Sequence, residues 1–326
     1  MFPVTRLRRL RRSQQIRDLL SETSIDTGKM MMPVFVDETT DRSVEVSSMP
    51  GVRRYSLGLL GDYLRSLEEA GVKSILLFGV PKVKDSMGTS AYDRNGIVQR
   101  AIELAKDQTD LVVAADLCLC EYTDHGHCGI VRGNEVDNDM TLDIYRKIAA
   151  TYAEAGADII APSGMMDGQV AAIRETLTDS GFKDTLIMAY SAKMASSMYS
   201  PFRNAAESRP RFGDRRSYQM PYGNLREAMR EIDEDVREGA DIVMVKPALF
   251  YLDVISEARK RFDLPLATYS VSGEYSMLVN AVRAGILPEE SIYEAVTSFF
   301  RAGADIVITY FAEPLARGDL SGIIGR

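Results

Sequence analysis

Four stretches of the chain repeat one pattern of polar and apolar positions. Residues 68–78, 153–161, 237–245 and 301–308 each run from a helix-like end through a glycine into a short aliphatic segment. Gly71, Gly156, Gly239 and Gly303 stand where a helix stops in a left-handed turn, which glycine adopts without steric cost. The segments after them are continuously apolar, as strands buried on both faces of a parallel sheet are. Runs of the same kind fill the gaps, so strands are predicted at 32–36, 74–78, 111–115, 158–161, 185–189, 241–245, 265–269 and 305–309. Helical spacing lies between them. Leu142, Tyr145, Ile148, Ala149 and Tyr152 form one apolar stripe. Ile292, Ala295, Val296 and Phe299 form another, introduced by Pro288 and the acidic pair Glu289 and Glu290.

Eight βα units in 326 residues predict an α/β fold, the TIM (β/α)8 barrel, with a doubly wound open sheet as the alternative. Residues 312–326 leave little room for an eighth helix. The expected division is an N-terminal arm over 1–28 and a barrel catalytic domain over 29–326. The arm carries Arg6, Arg8, Arg9, Arg11, Arg12 and Arg17 with only Asp18 against them. An Arg-rich start suits a transit peptide, a nucleic-acid arm or an arm that embraces a neighbouring subunit. The interspersed Leu7, Leu10, Ile16, Leu19 and Leu20 favour the subunit contact.

Composition narrows the picture. With 45% hydrophobic and 26% charged residues the chain can bury a large core. A net charge of -8, from 39 Lys and Arg against 47 Asp and Glu, argues against nucleic acid as a partner. No apolar run approaches the roughly 20 residues of a membrane span, and the start lacks an apolar leader, so a cytoplasmic protein with no membrane partner is expected. All three cysteines fall between Cys118 and Cys128, which is no disulfide framework.

In a barrel, chemistry sits where strands end. Asp116, Ser163, Ser191, Lys193, Lys246, Ser272 and Tyr310 fall there. Two connections are too long for simple turns: 117–140 holds the cysteines and both histidines, and 194–221 holds five arginines. Cys118 and Cys120, two apart on an extended segment, point the same way, and Cys128 returns across the turn at Gly126. Three thiolates suit zinc with a fourth position open for catalysis. A histidine could instead close a structural site, and three buried metal-free thiols are the plainer reading. Lys246 ends a buried strand, where an amine must find a partner or lose its charge. An uncharged amine can form a Schiff base with a carbonyl substrate. Lys193 lies just past the preceding strand, so both amines could face one pocket and depress each other's pKa. A lysine paired with a strand-end carboxylate is the structural alternative.

These residues resemble the porphobilinogen synthase (5-aminolevulinate dehydratase) family over nearly the whole chain. The resemblance rests on Tyr190-Ser-Ala-Lys193, Met244-Val-Lys-Pro247, Asp116-Leu-Cys-Leu-Cys120, His125-Gly-His-Cys128, Gly213-Asp-Arg-Arg-Ser-Tyr-Gln219 and Val271-Ser-Gly-Glu274. It implies a homo-octameric barrel that condenses two 5-aminolevulinate molecules to porphobilinogen with loss of two waters, an early step of tetrapyrrole and heme synthesis. Lys246 and Lys193 would form the Schiff bases, with Asp116 beside them as a catalytic group. Cys118, Cys120 and Cys128 would hold a catalytic zinc, Zn2+. Ser163 and Tyr310 would line the pocket, with Tyr199, Arg203, Arg215 and Gln219 around one carboxylate and Ser272 at the other. Glu231 stands where magnesium-stimulated members have a ligand for allosteric Mg2+, and it reads equally as a solvated helix carboxylate beside Glu227 and Glu234.

Four positions depart from the family pattern. Ser217 replaces a cysteine of some members, Gly164 an aspartate, and Phe311 a second tyrosine. Leu249 and Phe250 stand where a proline is common. A Schiff-base aldolase with a structural zinc is the rival enzyme reading. An oligomerising barrel whose arm binds nucleic acid is the non-enzyme one.

Overall fold

The computed structural model describes residues 3–325. Eight parallel strands form the barrel: β1 Met30–Asp37, β2 Ser74–Val80, β3 Val112–Leu117, β4 Ile159–Pro162, β5 Leu186–Lys193, β6 Ile242–Lys246, β7 Leu266–Ser270 and β8 Ile306–Thr309. Each falls within a few residues of its predicted place. β1 pairs with β8 through Met30 opposite Val307 and Met31 opposite Ile308, which closes the sheet and removes the open-sheet alternative. A short ribbon, Ser43–Glu45 with Arg53–Tyr55, extends the far end of β1.

Helices follow the strands because their apolar stripes cover the barrel's outer face. α1 Leu57–Glu69, α2 Ile97–Gln108, α3 Asn138–Glu154, α4 Gln169–Asp179, α5 Leu225–Arg237 and α6 Leu252–Arg261 stand one to a connection, save that a short helix, Ser200–Ala205, precedes α5. Between β7 and β8 there are two, α7 Ser272–Arg283 and α8 Glu290–Ala302. The predicted stripe of α3 is buried at Tyr145, Ile148, Ala149 and Tyr152, and that of α8 at Ile292, Ala295, Val296 and Phe299. After β8 there is room only for two short turns of helix, Ala312–Arg317 and Ser321–Ile324.

The repeated Gly-Ala-Asp triplets have a structural job at the barrel's bottom. Gly71, Gly156, Gly239 and Gly303 take φ of 94°, 98°, 98° and 116°, the left-handed turn their position requires. The aspartate then reaches sideways to the start of the preceding strand. Asp158 accepts from the Val113 amide at 2.8 Å, Asp241 from Ile187 at 2.7 Å and Asp305 from Leu266 at 2.9 Å. The same carboxylates pair with Lys106, Arg174 and Arg259 on the preceding helices. Arg174 and Arg259 also donate to the carbonyls of Gly239 and Gly303. A Cβ at Gly303 would lie 2.7 Å from Arg259 Cγ, so the glycine clears the arginine's path as well as turning the chain.

Each latch therefore ties two strands and a helix together, far from the strand ends that carry chemistry. Asp305→Ala leaves the Leu266 amide without its side-chain acceptor and Arg259 with the Gly303 carbonyl alone. It should cost about 1–3 kcal/mol in a denaturant titration while turnover at 25 °C stays near wild type. A large loss of turnover without a shift of the unfolding midpoint would contradict that separation.

Candidate active site

The strand-end residues converge on one cavity inside the barrel mouth. Lys246 and Lys193 are directly opposite each other in the β5–β6 register. Paired positions on parallel strands share a face, so both amines enter the same space. Asp116 from β3, Ser163 after β4, Ser272 after β7 and Tyr310 after β8 line it too. Ser191 faces away from it and donates to the Ala189 carbonyl.

The two amines have different surroundings. Lys193 Nζ donates to the Ser163 carbonyl at 2.5 Å. Lys246 Nζ has aromatic walls: the ring centres of Tyr269, Tyr190, Tyr199 and Phe202 lie 4.1, 4.9, 5.4 and 5.6 Å away. Burial, and then the Lys193 charge, bring the Lys246 pKa down to about 7. Asp116 works against that shift, since its carboxylate favours the charged amine. Asp116 accepts from Ser163 Oγ at 3.0 Å, and its second oxygen is buried without a partner. Burial raises its own pKa against the pull of both lysines.

The sign of the pH response follows. A lysine with a lowered pKa is ammonium below that value and free amine above it. Formation of any covalent amine adduct at Lys246 should rise through about pH 7 and level off above it. Asp116→Asn removes a charge that holds the proton on, so the rise should move to lower pH. Measuring adduct rate against pH in both proteins checks this, and a rise centred near the ordinary lysine value would exclude a free amine at neutral pH.

The thiols of Cys118, Cys120 and Cys128 lie within 4.8 Å of one another and are all buried. Cys118 and Cys120 Sγ are 3.3 Å apart, and Cys120 reaches the cavity wall. Tetrahedral zinc with Zn–S bonds of about 2.3 Å needs thiolates roughly 3.8 Å apart, so a small adjustment of the trio would accommodate such an ion. Hydrogen bonds from Cys118 and Cys120 hold the Cys128 thiol well below its usual range. Both ring nitrogens of His127 are engaged elsewhere, whereas His125 Nε2 is buried without a partner. The ring nitrogens of His127 meet Tyr218 Oη and the Phe212 carbonyl, each at 3.1 Å, and His125 Nδ1 accepts from the His127 amide. No histidine joins the trio among the described residues, so its donor set is three thiols.

The segment 194–221 folds over the mouth and brings Tyr199, Arg203 and Arg215 to the cavity. Tyr199 contributes its ring, because its hydroxyl donates to the Met194 carbonyl at 2.7 Å. Arg215 donates to the carbonyls of Gly126 and Ser208. The Nε atoms of Arg203 and Arg215 are buried without partners, a donor surplus suited to an anionic guest. Ser272 Oγ accepts from the Phe202 amide at 2.9 Å and donates to the Met198 carbonyl at 3.3 Å, which pins this lid to α7. Gln219 does not line the cavity. It lies on a separate groove with Glu231, Glu227, Asp167 and Ser217, and its amide atoms are buried and unpartnered. Glu231 has its pKa raised by burial and then by Asp167 and Glu227. Among the described residues no trio of metal-ligating atoms forms around it.

Two departures now have physical reasons. A Cβ at Gly164 would sit 1.8 Å from Tyr145 Oη, whose hydroxyl donates to the Cys128 carbonyl at 2.6 Å. The glycine makes room for the tyrosine that props the thiol loop. Phe311 packs on Tyr275, with ring centres 4.7 Å apart, and does not line the cavity. Ser217 lies on the outer groove, and nothing in the structure explains Leu249 and Phe250. Sequence reasoning missed Glu121, Phe78, Phe202, Tyr269 and Val271 in the cavity wall. Glu121 accepts from Cys120 Sγ at 3.2 Å, and burial pushes its pKa up to about 7. Tyr269 ends β7, so the strand-end rule could have found it.

A family model described as Delta-aminolevulinic acid dehydratase matches residues 4–318. The chain belongs to that family. The dehydratase of Methanothermobacter thermautotrophicus is 53% identical over 325 residues, covering 99% of this chain and 98% of the relative. That of Archaeoglobus fulgidus is 53% identical over 316 residues, covering 97% and 98%. A crystal structure of the Toxoplasma gondii ME49 dehydratase (porphobilinogen synthase), in complex with the reaction product porphobilinogen, superposes with a TM-score of 0.94. It is 41% identical, with 96% of this chain and 91% of that one covered. The chain is thus an enzyme, a dehydratase of tetrapyrrole synthesis with the family's TIM barrel, as its motifs imply. Its cysteine cluster can bind a metal ion. Among the described residues no helix is long and apolar enough to cross a membrane.

Proposed function

We propose that the chain condenses two molecules of 5-aminolevulinate to porphobilinogen, with Lys246 and Lys193 as the Schiff-base amines. The observation that carries this reading is the paired register of the two lysines in one cavity. Condensing two identical amino ketones asymmetrically needs two differently equipped places, and the two amines are differently equipped.

The free amine of Lys246 attacks the keto carbon of one substrate, and the carbonyl oxygen leaves as water. Lys193 forms the second imine likewise, held at its start by the Ser163 carbonyl. A carbon–carbon bond then joins the substrates. The amino group of one closes on the imine carbon of the other. Both lysines leave as amines, so the two waters lost are those of imine formation. Asp116, bonded to Ser163 and facing both amines, is placed to take and return the protons these steps move. Arg203 and Arg215, with unpartnered Nε atoms, would hold one substrate carboxylate, and Ser272 and Tyr310 would meet the other once their hydroxyls leave their present partners, with Tyr199 closing the wall.

Cys118, Cys120 and Cys128 would hold zinc, which supplies a Lewis acid beside the second substrate. Gln219 and Glu231 share the outer groove, so Gln219 would act on the lid's fold, and Glu231 is proposed as the place where allosteric magnesium would act. Residues 1–28 would be a subunit arm: Val4, Leu7, Leu10, Leu19 and Leu20 are exposed in the single chain, which fits burial in a homo-octamer. The direct test is purified protein given 5-aminolevulinate. Porphobilinogen should appear at one mole per two moles consumed, and consumption without that product would overturn the reading.

A further inference from the structure

Glu274 lies outside the cavity wall and outside the chemistry above, yet it is fully buried and has no cationic partner among the ion pairs of the described residues. One oxygen accepts from the amides of Ala248 and Leu249, at 3.1 and 2.6 Å. The other accepts from the Val271 amide at 2.8 Å. One carboxylate thus grips the chain two residues after Lys246 and one residue before Ser272. Burying a carboxylate is costly unless hydrogen bonds repay it, so three amides converging on one acid mark a fixed joint.

The neighbouring residues extend the joint to the lid. Ser272 Oγ accepts from Phe202 and donates to Met198. A Cβ at Gly273 would lie 2.5 Å from the Met198 carbonyl oxygen, so only glycine lets the lid's backbone come this close. We infer that Glu274 is a positioning residue that holds the Lys246 strand end and the Ser272–lid contact in one frame, so that the amine and the carboxylate-binding side keep their mutual distance. This rests on the Schiff-base reading of Lys246.

The test compares wild type, Glu274→Gln and Glu274→Ala by steady-state kinetics with 5-aminolevulinate and by the rate of borohydride-trapped adduct at Lys246. The isosteric glutamine keeps one acceptor, which the two amides after Lys246 can use, and turns an NH2 group towards Val271. Glu274→Gln should raise KM on the order of tenfold, as for one charge-assisted bond lost, with the trapping rate at saturation within about twofold. Glu274→Ala should slow trapping on the order of tenfold as well. If the alanine protein does not fold, the KM-selective effect of glutamine decides alone. Lowered thermal stability with KM and trapping rate unchanged in Glu274→Gln would overturn the inference. Absence of adduct at Lys246 in the wild type would instead overturn the reading beneath it, and the inference with it.

Discussion

Borohydride added during turnover should fix 5-aminolevulinate covalently to Lys246, and Lys246→Met should lose activity on the order of 10⁴-fold or more. The amine must be uncharged to attack, and its surroundings arrange that. A pKa of about 7 in place of 10.5 leaves about nine-tenths of the amine free at pH 8, roughly 300 times the fraction of an ordinary lysine. Four aromatic walls give Nζ no carbonyl to bind, whereas Lys193 is tied to the Ser163 carbonyl. Lys246 should therefore be the first residue trapped at limiting substrate, and Lys193 should appear in the adduct only as substrate saturates. Peptide mapping reads both. An adduct confined to Lys193, or none under turnover conditions, would remove Lys246 from the mechanism.

Dialysis against a strong zinc chelator should lower turnover more than about 100-fold, and added zinc should restore it. Three buried thiols lie within 4.8 Å of one another, Cys120 reaches the cavity wall, and neither histidine joins the trio among the described residues, so three thiols alone would hold the ion. Cys128→Ser should weaken zinc retention as well as activity, which a metal analysis of the purified variant would show. Full activity in a metal-free preparation would mean the thiols serve only packing.

Much of the fold was legible because its signal is repeated. Four glycines in the same turn, each followed by an aliphatic run, give the barrel's period without any long-range information. The lysines and cysteines were legible because each is chemically out of place: an amine at the end of a buried strand, three thiols in eleven residues. What escaped depends on how loops cross. Nothing local says that the rings of His125 and His127 turn to the lid and not to the thiols, or that Gln219 falls outside the cavity while Arg215, four residues earlier, lines it. Tyr145 and Gly164 are 19 positions apart, so their mutual exclusion is visible only once α3 and the β4 end are packed together.

The aspartate latches fasten the barrel in pairs, β3 with β4, β5 with β6 and β7 with β8. The first repeat carries Lys73 where the others carry aspartate, so β1 and β2 lack such a latch and are joined by a seven-residue ladder and by Ser74 Oγ, which donates to the Met30 carbonyl at 3.4 Å. The unlatched joints with the shortest ladders are β4–β5 and β8–β1, each paired at two positions, and there transient opening and amide exchange should begin. The lysines themselves bridge a latched pair, β5 with β6, so such opening leaves their mutual register intact.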